Sequence, residues 1–279
     1  MPSGAARPDA PKPARILIVA GSDSGGGAGI QADIKTVTAL GGYAATAVTA
    51  LTAQDTRGVH GVVPVDPGFV QQQMRVVIED VGVDCVKTGM LHDAATIEAV
   101  AAVLDELPGV PVVVDPVMVA KGGAPLLAPD AIGALVSRLV PLARVLTPNA
   151  PEAEALTGVE IGDRGTMERA ARRLVGMGCE AVYLKGGHLP GARIEDLLVA
   201  GSRIDVLAAE RIETVHTHGT GCTLASAIAT GLGQGLALGP AAARAQAFVQ
   251  AAIAGAPGFG SGHGPTWHGH TVAPFDPPG

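Results

Sequence analysis

The segment Thr217-His218-Gly219-Thr220-Gly221-Cys222 runs directly into a helix-like stretch, 223–232. A Gly-Thr-Gly turn opening a helix is anion-binding chemistry. The glycines let successive N–H groups point into one space, and the helix dipole adds partial positive charge there. Cys222 falls in the first turn, beside whatever anion is held. The pattern points to phosphate handling by Gly219, Thr220 and Gly221, with a reactive group alongside.

Two other phosphate motifs bear on this reading. G-x-x-x-x-G-K-[ST] is absent, which excludes a P-loop enzyme. Gly27-Ala28-Gly29-Ile30-Gln31-Ala32 matches the looser dinucleotide pattern, after a strand and before a helix, and makes a nicotinamide-dependent oxidoreductase a competitor. The acidic residue expected at the end of the next strand is missing, because that strand runs into Thr52-Ala53-Gln54 and Asp55 lies a little far along.

Elements that position these loops are legible in the apolar pattern. Strands are expected at 15–20, 44–51, 110–114, 143–146 and 181–184, with a strand then a turn at 84–89 and a hairpin formed by 196–199 and 204–206. Helices are expected after Gly29 and at 69–81, 96–107, 131–139, 152–156, 166–177 and 241–254. Strands alternating with helices argue for an α/β fold with a central, mostly parallel sheet flanked by helices on both faces. The polar residues of interest lie where strands end, which is where open α/β sheets place their sites. No Pro/Ser-rich linker divides the chain, and no internal repeat is evident. One domain is expected over 15–268, between a disordered tail at 1–14 and a flexible tail at 269–279.

Bulk properties narrow the function further. The 279 residues are 47% hydrophobic but only 3% aromatic, so the core is aliphatic and suits strands buried on both faces. A net charge of −7 without a basic block argues against nucleic acid and anionic membrane as partners. The three cysteines form no C-x-x-C pair, and the reading is a reducing cytoplasm. The N-terminal residues lack the apolar core of a signal peptide. No run approaches the roughly 18 apolar residues of a membrane span.

Taken in order, these segments resemble a family. The stretch 20–33 (A-G-S-D-S-G-G-G-A-G-I-Q-A-D) is similar to the N-terminal signature of bacterial hydroxymethylpyrimidine/phosphomethylpyrimidine kinases. These are members of the ribokinase-like superfamily acting in thiamine synthesis. Further matches follow at Thr49–Gln54, Lys87–Leu91, Val114–Met118, Thr147–Ala153, Leu184–His188, His218–Thr223 and Gly262–Pro265. The resemblance covers about residues 15–268 and implies a ribokinase-like fold. It also implies a homodimer and ATP-dependent phosphorylation of the pyrimidine alcohol, then of its monophosphate. Mg²⁺ would be the metal.

The residues suit that chemistry, since phosphoryl transfer depends on positioning and on neutralising charge. Cys222 occupies the place where many ribokinase-like enzymes carry Asp as the base. A helix N-terminus can lower a thiol from about 8.5 to roughly 3.5–7.5, which would let it take the alcohol proton. Asn149 and Glu152 resemble the family's N-x-x-E motif; Glu152, with Asp115, would hold Mg²⁺ through water. The same pair also fits a capping box. Lys185 is a point charge for phosphate. Asn149, Asp115 and Thr217 complete the nucleotide side. On the substrate side, the Gln54 amide matches a ring nitrogen beside an exocyclic amine. Asp33 would bind a polar group, with Met90 and Val117 against the ring faces. Residues 121–123 suggest a lid. Related pyridoxal kinases that also act on the pyrimidine alcohol carry a lid cysteine; here that stretch reads Val119-Ala120-Lys121, which makes efficient pyridoxal phosphorylation doubtful. His188 and His218 receive no role. A pyridoxal/pyridoxine kinase of the same superfamily is the alternative within the class, and a non-catalytic pyrimidine-binding protein is, beside the oxidoreductase, the alternative outside it.

Overall fold

Ile16, Ile18 and Ala20 alternate with Leu17 and Val19 along β1 (Arg15–Asp23), and all five are buried. A strand that is apolar on both faces needs a helical layer on each side. The computed structural model, which describes residues 12–120, 122–128 and 130–277, supplies both layers. Residues 1–11 of the expected disordered tail, and Lys121 of the expected lid, lie outside the described residues.

The elements follow in the order β1, α1 (Gly29–Ala39), β2 (Tyr43–Gln54), β3 (Val59–Pro64), α2 (Pro67–Asp80), β4 (Cys85–Thr88), α3 (Ala94–Leu104) and β5 (Val112–Val114). Then come α4 (Ala131–Ala134), β6 (Val145–Leu146), α5 (Ala150–Thr157), α6 (Arg164–Val175), β7 (Ala181–Leu184), β8 (Arg193–Ala200), β9 (Arg203–Glu210), α7 (Thr220–Gly233) and α8 (Leu238–Ala254). They build one sheet in the order β3-β2-β1-β4-β5-β6-β7-β8-β9. The inner strands from β2 to β7 are parallel, while β3, β8 and β9 pair antiparallel at the two edges.

Leu17, Val19, Val86 and Val114 face a layer containing Met74 of α2, Ile97 of α3, Ala153 of α5 and Leu174 of α6. Ile16, Ile18 and Val113 face the opposite layer, which contains Val37 of α1, Ile228 of α7 and Ala245 of α8. A fully buried side chain such as Ile228 contributes about 1.5–3 kcal/mol. The small residues Ala225, Ala227 and Ala229 let α7 lie close to the sheet, which fixes its N-terminus over the strand ends. None of the described helices is long and apolar enough to cross a membrane.

Strand β3 is absent from the sequence expectation. Its V-H-G-V-V-P stretch contains a glycine and a proline and is mostly exposed, so it carries little apolar alternation. An edge position tolerates both residues. The hairpin β8–β9 is longer than its apolar centre, because the register from Arg193↔Glu210 to Ala200↔Arg203 extends into polar ends. Residues 269–271, placed in a flexible tail by sequence, belong to a short 3₁₀ turn, His268–Thr271.

Candidate active site

A cavity of about 850 Å³ opens at the carboxyl ends of the parallel strands. Asp23 ends β1 and Gln54 ends β2, Met90 and Asp115 follow β4 and β5, and Asn149 and Lys185 follow β6 and β7; all six line it. Thr217, the turn from Gly219 to Cys222 and Val117 line it as well. Met90 and Val117 supply apolar side chains to its lining.

The N-terminus of α7 is held by a close approach of two loops. Gly219 has φ +84°, and a Cβ on it would collide with Gly27 O, so only glycine fits. No side-chain hydrogen bond caps this helix, which leaves its first-turn N–H groups to face the cavity. Lys185 sits beside them: its Nζ lies 3.3 Å from where a Gly221 Cβ would be. It donates to Asp115 Oδ1 at 3.2 Å and is 3.7 Å from Glu152 Oε2. Burial opposes the ammonium charge, but Asp115 and Glu152 hold the Lys185 pKa above its ordinary value. Burial pushes Glu152 up to about 7, against the pull of Lys185. Asn149 and Glu152 form a reciprocal capping box at 2.9 and 2.8 Å, so the same two residues both start α5 and face the cavity.

The other glycine-rich loop is already filled. Asp23 Oδ1 accepts from Gly25 N at 2.8 Å, and Oδ2 accepts from Gly27 N at 3.0 Å and Ala28 N at 2.7 Å. A buried internal carboxylate thus occupies the amides that a dinucleotide pyrophosphate would need. A Gly27 Cβ would also collide with the His218 ring, which seals the loop from outside. The dinucleotide reading fails on these contacts.

Asp33 differs from its expected place. It lies beneath the cavity floor, fully buried, and does not line the cavity. Lys87 Nζ donates to both its oxygens at 3.0 and 2.9 Å, and Ser226 Oγ donates to Oδ1 at 2.7 Å. Position 33 shares the buried face of α1 with Ile30 and Val37, which turns the carboxylate inward. Lys87 lines the cavity in its stead. Burial opposes that charge too, but Asp33 keeps the Lys87 ammonium protonated well above its usual range.

Cys222 lines the cavity as expected, but its thiol is not lowered. Enclosure of the sulfur pushes its pKa up to about 12, outweighing Lys87 and the bond from Gly29 N. The resting group is therefore a neutral thiol, and the helix N-terminus does not prevail over burial.

Gln54 faces the turn across a short chain of contacts. Its Nε2 is 3.2 Å from His218 Nε2, which is 3.1 Å from Asp23 Oδ2, and its Oε1 is 3.2 Å from Thr52 Oγ1. His218 immediately precedes Gly219, so the amide of Gln54 and the anion turn share one wall. The bonds from His218, Ala28 and Gly25 keep Asp23 ionised, below the usual carboxylate range, although burial opposes them. Asp23, Lys87 and His218 were given no site role from sequence. All three lie inside recognised motifs, yet nothing in their spacing signals the pairing.

The chain matches the phosphomethylpyrimidine kinase family model over residues 23–267. It is 55% identical to a thiamine biosynthesis bifunctional protein of Geobacter sulfurreducens, covering 91% of this chain and 52% of that protein. The chain therefore spans about half the length of that relative. It is 48% identical to a hydroxymethylpyrimidine/phosphomethylpyrimidine kinase of Bacillus subtilis, covering 91% of this chain and 94% of the relative. Among solved structures, an ADP complex of Bacillus subtilis pyridoxal kinase superposes with a TM-score of 0.86 at 38% identity, covering 92% of this chain and 97% of the other. The sheet order, the helical layers and the strand-end cavity are those of a ribokinase-like fold, and the chain belongs to the phosphomethylpyrimidine kinase family.

Proposed function

We propose that the protein uses ATP to phosphorylate hydroxymethylpyrimidine to its monophosphate, and then the monophosphate to the diphosphate, in thiamine biosynthesis. The observation that carries this reading is that one cavity is lined both by the Gly219–Cys222 turn with Lys185 and by Gln54, Met90 and Val117. The first group suits a phosphoryl anion and the second a small polar aromatic ring. The substrate oxygen attacks the γ-phosphorus, the bond to the β–γ bridging oxygen breaks, and ADP leaves. The N–H groups of the turn and the ammonium of Lys185 take up the charge that develops on the transferring group. In the first step the neutral thiol of Cys222 hydrogen-bonds the hydroxymethyl oxygen, and the hydroxyl proton passes to an oxygen of the transferring phosphoryl group as the new O–P bond forms. The second step needs no proton removed, because the phosphomonoester is already ionised.

Asp115 and Glu152 fit Mg²⁺, which binds through one or two carboxylates together with substrate phosphates rather than in an all-protein cage. Among the described residues no cluster of three ligating side chains forms such a cage. When bound, the ion neutralises phosphate charge. Asn149 and Thr217 line the nucleotide side, with Thr217 adjoining the turn. Pyridoxal is disfavoured as substrate by the thiol-free stretch at Val119 and Ala120.

The unpaired edge of β3, with exposed Leu51 and Val63 nearby, supports a homodimer, and sedimentation equilibrium tests it. Three free cysteines support a cytoplasmic location. To test the function, the protein is incubated with the pyrimidine alcohol and ATP while products are separated by anion exchange. Monophosphate should appear first and diphosphate second. Phosphorylation of pyridoxal with none of the pyrimidine would overturn the proposal.

A further inference from the structure

Residues 262–268 return after α8 to bond Thr56, Ala252 and His218. Gly262 N donates to Thr56 Oγ1 at 3.2 Å, His263 N to Thr56 O at 2.7 Å, and Trp267 N to Ala252 O at 2.9 Å. His218 N donates to Gly264 O at 3.1 Å, which ties this strap to the residue just before the anion turn. The strap delivers the His268 ring, only 4% exposed, to the first turn of α7. Its Nε2 lies 2.8 Å from Thr223 Oγ1, and that hydroxyl lies 2.8 Å from Gly219 O.

The proton count fixes the direction of this chain. A hydroxyl has one proton, and a carbonyl oxygen only accepts. Both contacts are satisfied only when His268 Nε2 carries a hydrogen and donates to Thr223, which donates to Gly219 O. A peptide unit is planar, so a bond that holds Gly219 O also sets the direction of Thr220 N–H on the same plane. That N–H belongs to the anion turn, and at rest it has only a long bond of 3.4 Å to Thr217 O.

We propose that His268 is a positioning residue which, through Thr223, sets the Gly219–Thr220 peptide plane and so aims the anion-binding turn. The proposal rests on reading that turn as the seat of the transferred phosphoryl group.

The test compares ATP and ADP binding by calorimetry, with Mg²⁺ present, in the wild type and in His268→Ala, His268→Gln, Thr223→Val and the His268→Ala/Thr223→Val double variant. Loss of one neutral hydrogen bond is worth about fivefold to tenfold. His268→Ala and Thr223→Val should weaken ATP by that factor while ADP stays within about twofold. The double variant should be no weaker than either single change, because one chain has been cut twice. His268→Gln keeps an N–H donor and should restore the ATP-to-ADP ratio. Equal loss of both nucleotides, additive losses, or no restoration by Gln would overturn the proposal. Should His268→Ala not fold, Thr223→Val and His268→Gln carry the same test; an unchanged ratio in Thr223→Val would be decisive against it. In turnover, kcat should fall with KM for the pyrimidine alcohol unchanged. A wild type that binds ATP but never phosphorylates the pyrimidine would sink the functional reading and leave the nucleotide ratio to judge His268.

Discussion

Cys222 stands between two opposed influences, a helix N-terminus that favours thiolate and an enclosed site that favours thiol. Enclosure prevails and pushes the thiol up to about 12. Alkylation of Cys222 by iodoacetamide, followed by peptide mapping, should therefore rise by about tenfold per pH unit between 7 and 9, in step with the thiolate fraction. A plateau below pH 8 would contradict this and return Cys222 to the role of a resting base. At this scale, residue type and strand-end position brought Gln54, Met90, Asp115, Val117, Asn149, Glu152, Lys185, Thr217 and the Gly219–Cys222 turn to one cavity. What spacing could not carry was pairing at long range. Asp23 meets His218 across 195 positions and Asp33 meets Lys87 across 54, so the carboxylate expected against substrate turns out to be an internal counter-ion.

Elements converge on that counter-ion. Asp33 comes from α1, Lys87 from β4 and Ser226 from α7, and their bonds of 2.7–3.0 Å tie both neighbours of the anion turn to the sheet. Removing one partner of a buried pair leaves an uncompensated charge, at a cost of about 3–5 kcal/mol. Lys87→Met should lose stability of that order in urea unfolding, and Lys87→Met/Asp33→Asn should recover a large part of it. Additive losses would show that the pair does not act as a unit. Helices and parallel strands were legible as apolar periods because each is buried along a whole face. Strand β3 was not, because edge pairing with β2 holds it without requiring apolar alternation. The Gly27–Gly219 approach explains why two glycine-rich loops of similar composition differ in use. Asp23 fills one, while Gly219, unable to cap its helix, leaves the other open.

For the whole molecule, the C-terminal strap adds an acid-sensitive group. Burial holds the His268 imidazole down at about 4, against an ordinary 6.5. Between those values the unfolded chain binds a proton that the folded chain does not, so stability falls as pH drops from 6.5 to 4, by at most about 3 kcal/mol. His268→Gln carries no titrating group. Its unfolding free energy should gain on the wild type as pH is lowered through this window, and parallel curves would contradict the assignment. The C-terminal residues were the least legible part of the chain, since their order depends on Thr56 and Thr223, which lie far away in sequence.

The proposed function seats the migrating phosphoryl group against Gly219–Cys222 and the pyrimidine against Gln54. A crystal structure with a non-hydrolysable ATP analogue and the pyrimidine alcohol tests that most directly. The terminal phosphate should accept hydrogen bonds from the N–H groups of this turn, with Lys185 alongside and the aminopyrimidine edge on the Gln54 amide. A nucleotide seated over Gly27, or a pyrimidine bound outside this cavity, would contradict it.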